Sequence, residues 1–232
     1  MTALVVGASR GLGRGIAEAL DAAGHEVVAV SRTASDSPVK AELADATDPG
    51  STRLLQTYRP SVLVLVAGAK PPSAPLHEQT WETFSTNWHV DVRMTFEWLR
   101  AALLLPLDRG ARVIVFSSGA SLAGSPLSGG YAGSKATQRF ITGYARDEAE
   151  RAELGLSFTA VLPRLTPNTD LGLPAVKAYA ARYGQTEAEY VAGLGTPPLT
   201  PAGAGAAVVE LVGLETVASS YLLTGDGLRA LD

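Results

Sequence analysis

An α/β domain with a doubly wound parallel sheet of about seven strands is the fold this sequence predicts. Three observations point to it. Short runs rich in Val and Leu recur along the chain, longer stretches of helical character separate them, and a glycine-rich turn joins the first run to the first helix. Uniformly apolar strands alternating with helices indicate a parallel sheet covered on both faces.

The strands are expected at "ALVVG" (3–7), "EVVAVS" (26–31), "SVLVLVAG" (61–68), "ARVIVFSS" (111–118), "LSFTAVLP" (156–163) and, last, "YLLTG" (221–225). A long central helix is expected over "TWETFSTNWHVDVRMTFEWLRAAL", with Trp88 and Trp98 as core or helix-interface aromatics. Residues 164–200 are rich in Pro and Gly and form the one long irregular region, with two short helices around "PAVKAYAARYG" and "TEAEYVAGLG". An insertion after a late strand of this fold falls beside the ligand crevice. It reads as a substrate lid within one domain spanning 1–232.

Composition removes several functions. The 232 residues carry 46% hydrophobic and 18% charged side chains, as a globular enzyme does. A net charge of −4 without a Lys/Arg cluster argues against nucleic-acid binding. Cysteine is absent, which removes disulfides, thiolate nucleophiles and Cys-ligated metals. His25, His77 and His89 have no metal-ligand spacing, so no metal site is expected. The chain opens on an apolar run without a signal-peptide pattern, and its apolar stretches are far shorter than a membrane span. A cytoplasmic location without membrane contact is the expectation.

"VVGASRGLGRGIAEAL" places Gly7, Gly11 and Gly13 between a strand and a helix. Gly7 permits the tight turn, Gly11 lets a diphosphate approach the backbone, and Gly13 allows close helix–strand packing. Ser9, Arg10 and Leu12 complete this Rossmann-type turn, whose helix N-terminus offers free N–H groups. An NAD-binding chain of this type usually carries an acid at the end of the second strand. Here Ser31 and Arg32 stand there, with Arg10 close by in the turn. Two guanidiniums and a hydroxyl suit a 2′-phosphate, so NADP is expected and NAD is less favoured.

Tyr131 and Lys135, in "GGYAGSK", lie one helical turn apart. Together with GASRGLG and "VFSSGAS", this segment makes the chain resemble the short-chain dehydrogenase/reductase family. The three motifs occur in the family's order, and Ser118 precedes Tyr131 by the family's usual 13 residues. The resemblance runs from residue 2 to about 165 and returns in the final strand.

The resemblance implies a hydride-transfer enzyme interconverting a carbonyl and an alcohol. Free tyrosine ionises near ~10, and a nearby cation favours the tyrosinate. Lys135 is placed to supply that charge and, by resemblance, to hold the nicotinamide ribose. Tyr131 then acts as general acid/base and Ser118 holds the reacting oxygen. The resemblance also assigns Asp45 and Ala46 of "LADATD" to the adenine. Ala67 and Gly68 correspond to the end of the family's NNAG segment, with Leu65 and Val66 in place of its asparagines. Pro163 corresponds to the proline of its Pro-Gly segment, Arg164 replaces the glycine, and Thr169 is expected at the nicotinamide carboxamide.

The family's helix Asn, whose main-chain carbonyl holds a relay water, aligns with Asp91 when counted back from "LRAAL". Counted forward from Trp81 it falls near Asn87 and Trp88; the better match of the helix's second half favours Asp91. An Asp91 carboxylate adds negative charge beside Lys135. Arg164 is expected either to meet an acidic group on the substrate or to sit in a surface ion pair or cofactor contact. The substrate is read as a medium-sized, partly apolar carbonyl or alcohol, and the resemblance implies a homodimer or homotetramer. The substituted asparagines and Asp91 leave open a non-catalytic dinucleotide-binding sensor or interaction protein on the same scaffold.

Overall fold

The computed structural model describes residues 1–105, 107–167 and 169–231; Pro106, Asn168 of the expected lid, and Asp232 lie outside them. The first six strands are β1 (Thr2–Val6), β2 (Glu26–Ser31), β3 (Lys40–Leu43), β4 (Val62–Leu65), β5 (Arg112–Phe116) and β6 (Ser157–Pro163). Strands β7 (Ser220–Thr224) and β8 (Gly227–Ala230) complete one sheet in the order β3-β2-β1-β4-β5-β6-β7-β8. All neighbours are parallel except β7 and β8, which form an antiparallel hairpin.

The sheet is doubly wound, as expected. Along β1, Ala3 and Val5 point to one face while Leu4 and Val6 point to the other. The first face packs on Ile16, Ala17 and Leu20 of α1 (Gly11–Ala22) and on Ala204, Val208 and Leu211 of α9 (Pro201–Gly213). The second face packs on α2 (Leu54–Tyr58), on Met94 and Trp98 of α4 (Arg93–Leu104), and on Ala145 and Ala149 of α6 (Tyr131–Arg151). Burial on both faces is why the central strands read as unbroken apolar runs.

Two strands differ from the expectation. "KAEL" forms β3 and "GLRA" forms β8, so the sheet has eight strands and "YLLT" is not the last. Both lie at the sheet's edges, where Lys40, Glu42 and Arg229 face solvent or cleft and the apolar signal is lost. The expected long helix is α3 (Trp81–Asn87), a wider π-type turn over Trp88–Val92, and α4. Trp98 is fully buried as expected, whereas Trp88 is 42% exposed and is not a core residue. Both short helices of the 164–200 region form, as α7 (Gly172–Tyr183) and α8 (Glu187–Ala192). Among the described residues no helix is long and apolar enough to cross a membrane.

Strand order reverses between β1 and its two neighbours, β2 and β4. A crevice opens at such a point beyond the strands' C-terminal ends. The glycine turn, Ala67 and Gly68, and Ser117 and Ser118 all follow directly on β1, β4 and β5.

Candidate active site

The crevice divides into two clefts. The first, of about 780 Å3, is lined by Gly7, Ser9, Arg10, Gly11, Leu12, Gly13, Ser31, Arg32, Asp45, Ala46, Ala67, Gly68, Asp91, Tyr131, Lys135, Pro163 and Thr169. These are the expected cofactor residues together with Asp91. The second, of about 720 Å3, holds Ser118, Arg164 and the tyrosines of α7 and α8. Tyr131 and Pro163 line both.

The turn after β1 has the shape a diphosphate requires. Gly7 has φ +102°, and a Cβ there would lie 2.4 Å from the Ala67 nitrogen. At Gly13 a Cβ would lie 2.1 Å from the Gly7 carbonyl oxygen, so only glycine lets α1 approach the turn. Gly11 also has a positive φ, and nothing occupies the space beside it. The N-terminus of α1 has neither a side-chain cap nor an acid in its first turn. Its N–H groups and the positive end of the helix dipole therefore face the cleft free for an anion. The residues present fit a dinucleotide.

At the ribose end, Arg10 and Arg32 are exposed and line the cleft with Ser31. The Ser31 hydroxyl donates to the Thr33 carbonyl at 2.6 Å, so its proton is spent locally and the two guanidiniums are the donors that remain. Asp45 Oδ1 accepts from the Thr47 N–H (2.9 Å) and hydroxyl (2.8 Å). These bonds hold its carboxyl below the ordinary value, with smaller help from the charges of Arg32 and Arg93.

Tyr131 is the first residue of α6. Gly130 precedes it because a Cβ there would lie 2.3 Å from the Phe84 carbonyl oxygen, an acceptor that its N–H instead bonds at 3.1 Å. Ser117 Oγ donates to the Lys135 carbonyl at 2.7 Å and ties the helix to the end of β5. Lys135 Nζ lies 5.5 Å from the centre of the Tyr131 ring. Ser118 Oγ accepts from the Ala120 N–H at 3.2 Å, which leaves the hydroxyl proton free to donate into the second cleft.

Lys135 is buried, and Asp91 Oδ2 stands 3.1 Å from its ammonium. Burial pulls the Lys135 pKa down. The Asp91 carboxylate, with a smaller contribution from Tyr131, pushes it up, and the net direction is above the ordinary value. Asp91 Oδ1 accepts from the Ala69 N–H at 2.8 Å. Asn87 Nδ2 donates to Asp91 Oδ2 (3.3 Å) and to the Ala69 carbonyl (3.0 Å). Of the three residues that the two helix counts reached, Asp91 and Asn87 meet at one buried spot and Trp88 does not. The Asp91 carbonyl accepts from Thr95 Oγ1 (2.9 Å) and Gln138 Nε2 (3.2 Å). The Asp91 carboxylate faces the lysine, as expected of its charge, while its main-chain carbonyl bonds these two side chains.

Thr169 lines the first cleft, but its hydroxyl donates toward Thr166 and accepts from the Gly172 N–H at 3.0 Å, capping the start of α7. Thr166 and Lys70 line both clefts and were not expected. They enter on loops, where no periodicity marks a residue as facing inward. Arg164 lines the second cleft only, makes no ion pair among the described residues, and donates to the Leu194 carbonyl at 3.3 Å.

Comparisons with known proteins bear on the family and the fold. The pattern of the NAD dependent epimerase/dehydratase family matches residues 3–157. The chain belongs to that family and is a short-chain dehydrogenase/reductase. It is 36% identical to L-xylulose reductase from Homo sapiens over 105 residues, which cover 40% of this chain and 42% of that one. It is 29% identical to carbonyl reductase [NADPH] 2 from Sus scrofa over 155 residues, covering 61% and 63%. The matched part thus spans less than two thirds of these curated relatives. Among solved structures, a short-chain dehydrogenase from Burkholderia cenocepacia J2315 in complex with NADP is similar at TM-score 0.74 and 25% identity, covering 95% of this chain and 86% of that one. A short-chain dehydrogenase family protein from Francisella tularensis shares the fold at TM-score 0.79 and 20% identity, with 95% of each chain covered.

Proposed function

We propose that this short-chain dehydrogenase/reductase is an NADP(H)-dependent oxidoreductase that interconverts a carbonyl and an alcohol. The observation that carries this reading is Tyr131, shared by the two clefts, with the Lys135 ammonium beneath its ring and Ser118 lining the far side. One cleft fits a dinucleotide and the other a carbonyl compound, so the tyrosine stands where the two ligands meet. The Burkholderia neighbour with NADP and the NADPH-named relative support the cofactor class.

Gly11, Leu12 and Gly13 hold the diphosphate through their N–H groups, Arg10 and Arg32 hold the 2′-phosphate, and Asp45 and Ala46 bound the adenine. Bound NADPH supplies a hydride to the carbonyl carbon. The protein supplies the other half of the balance. Tyr131 gives its phenolic proton to the carbonyl oxygen, and Ser118 Oγ–H steadies that oxygen as it gains charge. Lys135 stays protonated, because Asp91 opposes the effect of burial, and its charge stabilises the tyrosinate left behind. The oxidation of an alcohol runs through the same groups in reverse.

Residues 164–200 act as the substrate lid. Tyr179 of α7 ties that region to the loop before Tyr131, its hydroxyl 2.6 Å from Ser125 Oγ and 3.2 Å from the Leu127 nitrogen. A homodimer or homotetramer is supported by the exposed Phe96 on α4 and the exposed Phe140 and Tyr144 on α6, apolar groups that a second copy would cover. Light scattering of the purified protein reads the oligomer directly.

The test of the function is a parallel titration with NADPH and NADH, followed by reduction of a panel of carbonyl compounds. Tight NADPH, weak NADH and turnover are expected. Binding of neither nucleotide by folded protein would instead favour a non-catalytic scaffold.

A further inference from the structure

The second cleft has an unusual charge for this chain. The protein as a whole carries a net charge of −4. Yet among the described residues lining this cleft, Lys70, Arg164 and Arg229 are the only charged side chains, and no Asp or Glu is present. None of the three is ion-paired within the described residues. Three cations without a counter-charge around a concave site create a local positive potential that opposes the sign of the whole molecule.

One side of the wall is aromatic and flat. Tyr179, Tyr183 and Tyr190 stack on one another, with ring centres 5.9–6.3 Å apart and planes within 20° of parallel. The stack is held in place by the bonds of the Tyr179 hydroxyl to the loop before Tyr131. Burial raises the Tyr190 pKa, and Tyr179 and Tyr183 add to the effect, so that residue carries no negative charge at neutral pH to repel an anion.

The two arginines are set by the sheet. Arg164 directly follows Pro163, which lines both clefts, and its N–H bonds the Leu223 carbonyl at 2.8 Å. Arg229 is paired directly across the β7–β8 hairpin with Leu222, another lining residue, and so projects from the same face of the sheet. Both cations line the second cleft and neither lines the first.

Resting on the oxidoreductase reading above, we infer that the second cleft selects substrates carrying a carboxylate on a flat apolar body, with Arg164 and Arg229 as its specificity-determining residues. The guanidiniums bind the carboxylate in bidentate fashion and the tyrosine wall and Leu222 cover the ring. Neutral analogues leave the cations unpaired and bind more weakly.

The test is a binding measurement that requires no turnover. 2-Naphthoate and its neutral counterpart 2-naphthamide are titrated calorimetrically into the protein alone and into the protein with saturating NADPH. The acid is expected to bind about tenfold tighter than the amide, as charge-assisted bonds imply, and to keep that advantage with NADPH present. In the double variant Arg164→Met/Arg229→Met the advantage falls to about twofold or less while the affinity for the amide holds. Should that variant fail to fold, the parent protein still decides, because raising KCl weakens the acid and leaves the amide unchanged. Equal affinities for acid and amide would overturn the inference, as would displacement of the acid by NADPH, which places it in the first cleft. Absence of turnover with every carbonyl compound counts against the oxidoreductase reading and leaves this binding result standing.

Discussion

Lys135 Nζ and Asp91 Oδ2 stand 3.1 Å apart with both side chains buried, the one ion pair among the described residues that is sealed from solvent. Every other such pair has partners at least a third exposed and contributes little to stability. Removing one member of a buried pair is a different matter, because the charge left behind has lost both water and partner. Asp91→Ala is therefore expected to cost about 3–5 kcal/mol in chemical denaturation.

Asp91→Asn separates the charge from the fold. Asparagine keeps an oxygen to accept the Ala69 N–H, so the protein stays folded, but the main force that raises the Lys135 pKa is gone and burial is opposed only by the smaller effect of Tyr131. The lysine then loses its proton at lower pH than in the parent, and the alkaline limb of the pH–rate profile moves down. The sign for stability follows from the same shift. A pKa raised in the folded state stabilises fully below the unfolded value of 10.5 and is lost as pH rises through the folded value. Parent and variant should thus differ in stability at neutral pH and converge only in strong alkali. Superimposable pH–rate profiles would show that the carboxylate has no influence on the lysine.

How much of this was legible in the sequence depends on where each residue sits. Central strands such as "LVV" and "VLVL" announced themselves because both faces are buried, whereas β3 and β8 hide behind the charges that edge strands carry. The glycine turn was readable because local backbone geometry dictates it, whereas YAGSK drew its meaning only from its combination with GASRGLG and VFSSGAS. The Asp91 site was half readable. Counts from the two ends of the helix diverged across the π-type turn at Trp88–Val92, which changes the residue spacing there. Of the candidates Asn87, Trp88 and Asp91, the first and last share one hydrogen-bonded cluster. Lys70 and Thr166 reach the clefts on irregular chain, where only three-dimensional structure reveals a lining residue.

Arg10 and Arg32 carry the cofactor prediction. No acid stands at the end of β2, and the Ser31 proton is committed to Thr33, so the guanidiniums are the groups proposed to meet a 2′-phosphate. Arg32→Ala is expected to weaken NADPH by about tenfold and the double Arg10→Ala/Arg32→Ala variant further, with NADH changed by less than about twofold. Fluorescence titration of both nucleotides reads the ratio. Equal losses for the two would mean that the arginines act on the diphosphate and not on the 2′-phosphate.

Gly205 carries a prediction about the scaffold. A Cβ at this position in α9 would lie 2.5 Å from both the Ala19 Cβ and the Gly15 carbonyl oxygen of α1. The contact atoms are backbone and a Cβ methyl fixed to it, neither able to swing aside. Gly205→Val therefore forces the two helices apart at the cost of about 1–3 kcal/mol, read as a lower denaturation midpoint. Because α1 also presents the diphosphate-binding turn, the same variant should bind NADPH more weakly than its stability loss alone explains.

Tyr131→Phe tests the chemistry most directly. The phenyl ring retains the packing at the start of α6 and the Lys135 contact, while the phenolic hydroxyl proposed as the proton donor is removed. A positioned general acid is worth roughly 10²–10⁴-fold, so kcat/KM for carbonyl reduction should fall by at least that factor. The affinity for NADPH should stay within about twofold, since the diphosphate and 2′-phosphate contacts lie on other elements. The two readouts together distinguish the roles. A large fall in turnover with intact nucleotide binding assigns the proton to Tyr131, whereas parallel loss of both makes the tyrosine a structural support of the nicotinamide end. Turnover that survives in Tyr131→Phe would move the proton-donating role to another group lining the junction, with Ser118 the next to be replaced.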